Sequence, residues 1–218
     1  MPEFGNTAEP EEAQAPSQLD ALAAKFMAGI KPLCFRVAQS SREKEMVYRL
    51  RFEVVVEKGW SRPEVFAEGL EQDKHDDEAV HIVGWKNGAL IATSRLILPT
   101  DERLLPAEEA FDLAIEACDR RVHVDRICIA AEYRRSQPIF WGLLSQTWVE
   151  MRARGFSEAV GILSPAMVRI YRSLGINVVL LSDARFHWGE KRYAALLQPA
   201  RFVQRVKLQA VKALKNSH

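Results

Sequence analysis

The chain has 218 residues, 48% of them hydrophobic and 27% charged, with a formal net charge of +1. That length suits one domain with a sizeable core plus tails, and a charge so near zero gives no general argument for nucleic acid or an anionic surface as partner. No apolar run reaches the ~20 residues that a membrane-spanning helix requires, and the first residues lack the pattern of a signal peptide, so a soluble cytoplasmic protein is expected. Cys34, Cys118 and Cys128 are odd in number and lack metal-ligand spacing. They read as buried thiols in a reducing compartment.

Residues 1–18 are rich in Pro, Glu, Ala and Gln and hold one large aromatic, Phe4. They read as a disordered tail. Leu19, Leu22, Phe26 and Met27 fall near one face of a short helix that Gly29 and Pro32 end. Leu33–Ala38 alternates like an opening strand. Ser40 or Ser41 caps a helix of about four turns that carries Met46, Val47, Leu50 and Val54. A loop follows from Gly59 to about Asp77. Two strands, Ala79–Trp85 and Ala89–Leu98, flank Asn87-Gly88, a strong hairpin signal. Phe111 to Ile115 lies in a short helix, and Val122–Ala130 is a further strand. Phe140–Arg154 is a helix stopped by Gly155, Ser157–Leu163 a strand, and Pro165–Leu174 a helix ending at Gly175. Asn177–Leu181 and Arg192–Leu197 close the sheet, and residues 199–218 form a basic amphipathic helix. This alternation predicts an α/β fold: a mixed central sheet of about seven strands with helices on both faces.

The segment Glu71-Gln-Asp73-Lys-His75-Asp76 puts three carboxylates within six residues, between two apolar segments. Acids this dense form either a polar pocket for a cationic small molecule or a solvated loop. Arg95 and Arg126 sit mid-strand, where a charge is unusual unless it is paired or faces a cleft. His75, His81 and His123 lack a metal-ligand spacing, and no metal site is expected. His75 and His81 read as structural.

The element order, with Tyr48-Arg-Leu-Arg-Phe-Glu-Val54, Ala92-Thr-Ser-Arg95-Leu and Ala166-Met-Val-Arg-Ile-Tyr171-Arg-Ser-Leu-Gly175, resembles the GNAT acyltransferase superfamily over roughly Leu33–Leu197. This resemblance makes residues 19–198 a GNAT-like acyltransferase domain. Within the superfamily the chain is most similar to the autoinducer-synthase branch, which holds acyl-homoserine-lactone synthases and N-acyl amino acid synthases. That branch carries an Arg, a Trp, E-x-D-x-x-D, R-L-x-L-P-T, a Phe and E-x-S-R. Arg51, Trp60, Glu71, Asp73, Asp76, Arg95, Phe111 and Arg126 match those positions. The chain departs from lactone synthases in a shorter Arg51-to-Trp60 spacing and in His123, which stands where they carry Glu. Its N-terminal lead and the Gly69-Leu-Glu71 context are more similar to the N-acyl amino acid synthases.

The resemblance implies an amine attacking an acyl thioester, which needs positioning, a proton acceptor and an oxyanion site. A backbone N–H between Ile127 and Ala130, including Ile129, is a candidate for the oxyanion. Tyr171 is a candidate general acid for the departing thiolate, or it packs its helix on the sheet. Glu71 and His123 are candidate proton acceptors, and His123 equally a structural histidine. Arg51, Trp60, Asp73, Asp76, Arg95, Phe111 and Arg126 are candidates to shape the acceptor site, with Arg95 or Arg126 taking an acceptor carboxylate in a bidentate fork. The paired-glycine phosphate loop of acetyl-CoA enzymes is missing from Glu132–Gly142, where Arg134 and Arg135 are the candidate phosphate contacts. Trp141, with Phe140, Leu144 and Trp148, lines an acyl pocket or is simple core.

No tightly bound cofactor is expected. The donor is acyl-acyl carrier protein or acyl-CoA. Arg201, Arg205, Lys207, Lys212 and Lys215 would dock an acidic carrier protein or form a solvated face. The expected function is an N-acyltransferase moving a fatty acyl group to an amino-acid-like amine, giving an N-acyl amino acid or homoserine-lactone-type product. An acetyl-CoA-dependent N-acetyltransferase and an inactive binding domain are the alternatives.

Overall fold

A computed structural model describes residues 9–100, 102–116 and 118–198. The helices are α1 (Glu9–Gly29), α2 (Ser41–Glu57), α3 (Pro106–Phe111), α4 (Gln137–Ala153) and α5 (Pro165–Ser173). The strands are β1 (Cys34–Val37), β2 (Val80–Lys86), β3 (Ala89–Ile97), β4 (Arg121–Ile129), β5 (Glu158–Leu163), β6 (Asn177–Leu180), β7 (Arg185–His187) and β8 (Glu190–Gln198). They form one sheet in the order β1-β2-β3-β4-β5-β8-β6, with β7 on β8. Only β4 and β5 run parallel. Helices α1, α4 and α5 cover one face, and α2 and α3 the other.

Local sequence explains most of these elements. Ser40 caps α2 by accepting the Glu43 amide at 3.2 Å. Val47, Leu50, Arg51 and Val54 then recur on its buried stripe. Asn87 and Gly88 have φ of 50° and 79°, the doubly left-handed turn that matches the twist of β2 and β3. The core under α4 is closed by Phe35, whose ring lies between Gly84 on β2 and Gly142 on α4, where a Cβ would collide with it.

Several elements differ from expectation. Helix α1 begins ten residues before Leu19, inside the segment read as disordered. Glu11-Glu-Ala-Gln-Ala15 has high helix propensity, which apolar periodicity does not register. Helix α3 lies before Phe111 rather than after it, because Pro106 opens it and Asp112, at φ 51°, ends it. A three-residue strand, β7, adds an eighth member to the sheet. The cysteines are not uniformly buried: Cys34 is exposed and Cys118 half-buried, leaving only Cys128 in the core. The expected C-terminal basic helix and residues 1–8 lie outside the described residues.

Candidate active site

Strand β4 organises the site through two irregularities. The first is a bulge: Thr93 pairs with Cys128 but Arg95 with Asp125, so β4 carries one extra residue there. Arg126 occupies it with φ of 51°. Strict alternation would send Asp125 and Arg126 to opposite faces. The bulge brings both side chains to the α2 face, while Val124 and Ile127 line the α4 face. The second is a parting of strands. β4 pairs with β5 only through His123, and beyond it the Val124 carbonyl lies against Gly161, 2.8 Å from where a Cβ would stand.

On the α2 face the expected residues converge into one ion network. Arg51 donates to Glu71, and its Nη1 and Nη2 grip Asp76 at 2.7 and 3.0 Å. Arg95 is held by Asp73 at 2.6 and 2.9 Å, by Asp125 at 2.8 and 2.7 Å, and by Asp76 at 2.8 Å. Arg126 donates to Glu71 at 2.9 Å and Asp73 at 3.0 Å. The acidic segment is therefore not a solvated loop. Glu71 and Asp76 are 1% and 0% exposed, and Asp76 also accepts the Asp73 amide at 2.8 Å. Burial this deep would be prohibitive for unpaired charges. Sequence reading missed Asp125, although it lies two residues from His123 on a strand and so shares its face.

Burial pushes the carboxylates up, but the guanidiniums overcome it. Asp73 is held down at about 2 by its hydrogen bonds to Arg95 and the charges of Arg95 and Arg126. Asp76 is lowered by Arg51 and Arg95, and Asp125 falls well below the usual range through Arg95 and Arg126. Burial lowers Arg51 and Arg95, yet their carboxylates raise both above an ordinary guanidinium. Three guanidiniums among four carboxylates leave the network one negative charge in excess.

His123 lies beside this network, fully buried. Its Nε2 is 3.5 Å from Asp125 Oδ2 but forms no hydrogen bond, and Nδ1 has no partner among the described residues. His81 is fixed by the Asp76 carbonyl at 3.1 Å and by the edge of Tyr48, as a structural histidine would be. Trp60 closes the end of α2, with the Arg192 guanidinium over its ring at 4.5 Å. Arg126 lies over Trp188 at the same distance. Phe111 is not at this centre. It is buried with Ala107, Val160, Ala194 and Leu196 in the core between α3, β5 and β8.

The opposite face carries an apolar cavity of about 160 Å³. Its walls are Leu19, Leu22 and Ala23 of α1, Trp141, Leu144 and Trp148 of α4, Val124 and Ile127 of β4, and Tyr171 of α5. Phe140 is outside this lining. Tyr171 is 3% exposed, its hydroxyl makes no side-chain hydrogen bond among the described residues, and burial pushes its pKa up. Tyr171 is thus separated by the sheet from Glu71 and His123, and the three candidate proton carriers do not share one pocket. Glu71 is moreover engaged by Arg51 and Arg126.

The two candidate phosphate arginines part company. Arg134 grips Glu57 at 2.5 and 2.6 Å and reaches the Ile129 carbonyl at 3.1 Å, bracing α2 against β4. Arg135 instead lines a concavity at the N-terminus of α4 with Lys31, Lys86, Ser136 and Gln137. The side chain of Ser136, the capping residue, makes no hydrogen bond to α4.

The mixed sheet, its covering helices and the bulged central strand define the class. Residues 50–141 match the family model described as an acetyltransferase (GNAT) domain. The fold is similar to that of the CoA-dependent acyl-homoserine lactone synthase MesI, with a TM-score of 0.66 and 16% identity over 84% of this chain and 95% of that one. It is similar to the AHL synthase LasI, with a TM-score of 0.66 and 12% identity over 78% and 93% of the two chains. It is also similar to FeeM, an N-acyl amino acid synthase from uncultured soil microbes, with a TM-score of 0.60 and 14% identity over 76% and 90%. At these identities the likeness is one of fold. No curated protein matches the sequence. Among the described residues no helix is long and apolar enough to cross a membrane.

Proposed function

We propose that the protein is an N-acyltransferase that moves a fatty acyl group from a phosphopantetheine thioester to the amine of an amino-acid-like acceptor. The observation that carries this reading is the apolar cavity under α1 and α4, beside the parting of β4 and β5. Helix α4 lines it from Trp141 to Met151, about 15 Å at 1.5 Å per residue, far longer than an acetyl group.

In this reading the amine nitrogen attacks the thioester carbonyl, the C–N bond forms, the C–S bond breaks and the thiolate leaves. Tyr171, an un-ionised phenol in an apolar wall, protonates the thiolate. The amine proton passes to solvent, because His123 is buried across the sheet from Tyr171 and the cavity. An amide of β4 beyond the bulge stabilises the oxyanion. Lys31, Lys86, Arg135 and the α4 N-terminus offer a phosphate site, which coenzyme A and acyl carrier protein both satisfy. MesI, similar in fold, is CoA-dependent. The ion network and the Trp60–Trp188 wall form the acceptor side.

An N-acetyltransferase is the second reading, favoured by the acetyltransferase description of the matching domain. Mass spectrometry of lipid extracts from expressing bacteria, with purified protein given decanoyl-CoA, decanoyl-acyl carrier protein or acetyl-CoA, separates them. N-acyl amines from the long donors are expected. Acetylation alone overturns the fatty-acyl reading, and no transfer from any donor leaves a binding domain.

A further inference from the structure

The arginines of the ion network have almost no donors left for an acceptor's carboxylate. Arg51 and Arg95 have every nitrogen committed to a carboxylate, and Arg126 spends Nε and Nη2 on Glu71 and Asp73. None has a free fork to offer. Arg192, on β8, differs. It shares the α2 face with Ala194 and Leu196, its side chain is 15% exposed, and its buried Nε and Nη2 have no hydrogen-bond partner among the described residues. Glu190 Oε1 comes within 2.8 Å of Nη2, an ion-pair contact without hydrogen-bond geometry, from a carboxylate that is 37% exposed.

The surroundings hold this guanidinium in place. It lies over the Trp60 ring, 4.5 Å from its centre, and the turn through Trp188 and Gly189 presses on the same residue: a Cβ on Gly189 would stand 2.9 Å from the Trp60 Cα. Trp188 in turn stacks on Arg126. Two cations thus flank a pair of indoles at the edge of the network. Burial lowers the pKa of Arg192, Glu190 opposes this, and Arg126 adds to the lowering. A buried guanidinium with idle donors beside a second cation is a setting that an oxyanion would stabilise.

We propose that Arg192, clamped on Trp60, binds the free carboxylate of an α-amino acid acceptor. The proposal rests on the N-acyltransferase reading for its substrate and commits it to a free acid rather than an amide or a lactone. An inorganic or cofactor phosphate is the other oxyanion that the same fork fits.

The full-length chain and its Arg192→Gln and Arg192→Lys variants test this in two assays. The first follows tryptophan fluorescence while each standard amino acid, its amide, or inorganic phosphate is added. At least one free acid is expected to change the signal of the wild type, its amide not, and Arg192→Gln to lose the response. The second is acyl transfer from decanoyl-CoA. Arg192→Gln is expected to raise KM for the free acid about tenfold to a hundredfold, the loss of a charged bidentate contact, with kcat nearly kept. Arg192→Lys restores part of it, and KM for the amide stays unchanged. Equal response to acid and amide overturns the proposal, as does an equal loss on both in the variant. A response to phosphate alone reassigns the fork. If no acyl transfer is seen at all, the N-acyltransferase reading fails, and the fluorescence titration still decides what Arg192 binds.

Discussion

Val124 and Asp125 are neighbours on β4, yet Val124 lines an apolar cavity and Asp125 closes a network with every Arg95 donor engaged. The two faces of one strand thus solve opposite problems. On the α2 face, charge is buried and must be paired to the last oxygen. On the α4 face, apolar side chains enclose a cavity of the kind that ligand sites use. The first region should be intolerant of substitution for reasons of stability, the second tolerant in stability and sensitive in specificity.

The sharpest way to break this contrast is Arg95→Met. It removes one partner of Asp73 and Asp76 and leaves buried Asp125 with only the 3.5 Å hydrogen bond from Arg126, and a loss of about 3–5 kcal/mol in urea unfolding is expected. A loss under 1 kcal/mol would mean that the network is not the paired unit described. Arg95 is consequently a poor probe of recognition, because its variants report folding first. Arg192 carries no such obligation.

Acid should separate the faces next. The folded pKa of Asp73 is lowered to about 2 from an ordinary 3.8. Its stabilisation is therefore fully present above about pH 4 and lost as the pH falls towards 2, on the order of 2 kcal/mol. Asp76 and Asp125 shift in the same direction and add to this acid limb. Urea midpoints measured between pH 5 and pH 2.5 should fall steeply in the wild type and less so in Asp73→Asn.

On the cavity side, Ala159→Leu places three more carbons in the cavity wall. Transfer from decanoyl donors is expected to fall about tenfold relative to butanoyl donors, on the scale of one or two methylenes in a specificity pocket. The thermal midpoint should barely move, and a uniform loss across chain lengths would argue against an acyl site. The smallest effect belongs to Asp20, which ties α1 to α4 by accepting from Trp148 Nε1 at 2.8 Å and Arg152 Nε at 3.2 Å. Asp20→Ala should cost about 0.5–1 kcal/mol, being partly exposed, and should loosen chain-length selection at the Leu22 wall. Unchanged selection in that variant would separate α1 from the cavity.

Much of the polar face was legible because local patterns mark it. A charged Arg51 in the middle of an apolar helical stripe, and Glu71, Asp73 and Asp76 crowded into one segment, both stand out against their surroundings. Asp125 did not, since strict alternation puts it and Arg126 on different faces. Only the register with β3 reveals the extra residue. Phe111 matched its family position yet lies in the α3 core, because a motif position does not carry packing with it. Tyr171 was correctly singled out as a buried helix residue, but its place across the sheet from His123 depends on where α5 crosses β5.

What the sequence by itself determined is the order of helices and strands, the Asn87-Gly88 hairpin and most members of the charge network. These follow from periodicity, turn chemistry and composition, which act over a few residues. Tertiary structure alone decided which arginines are spent and which is spare. That depends on contacts between α2, the acidic segment, β3, β4 and β8, brought together from positions 51 to 192. A guanidinium has the same chemistry everywhere in the chain, and only the carboxylates that folding sets around it determine whether its donors are already occupied.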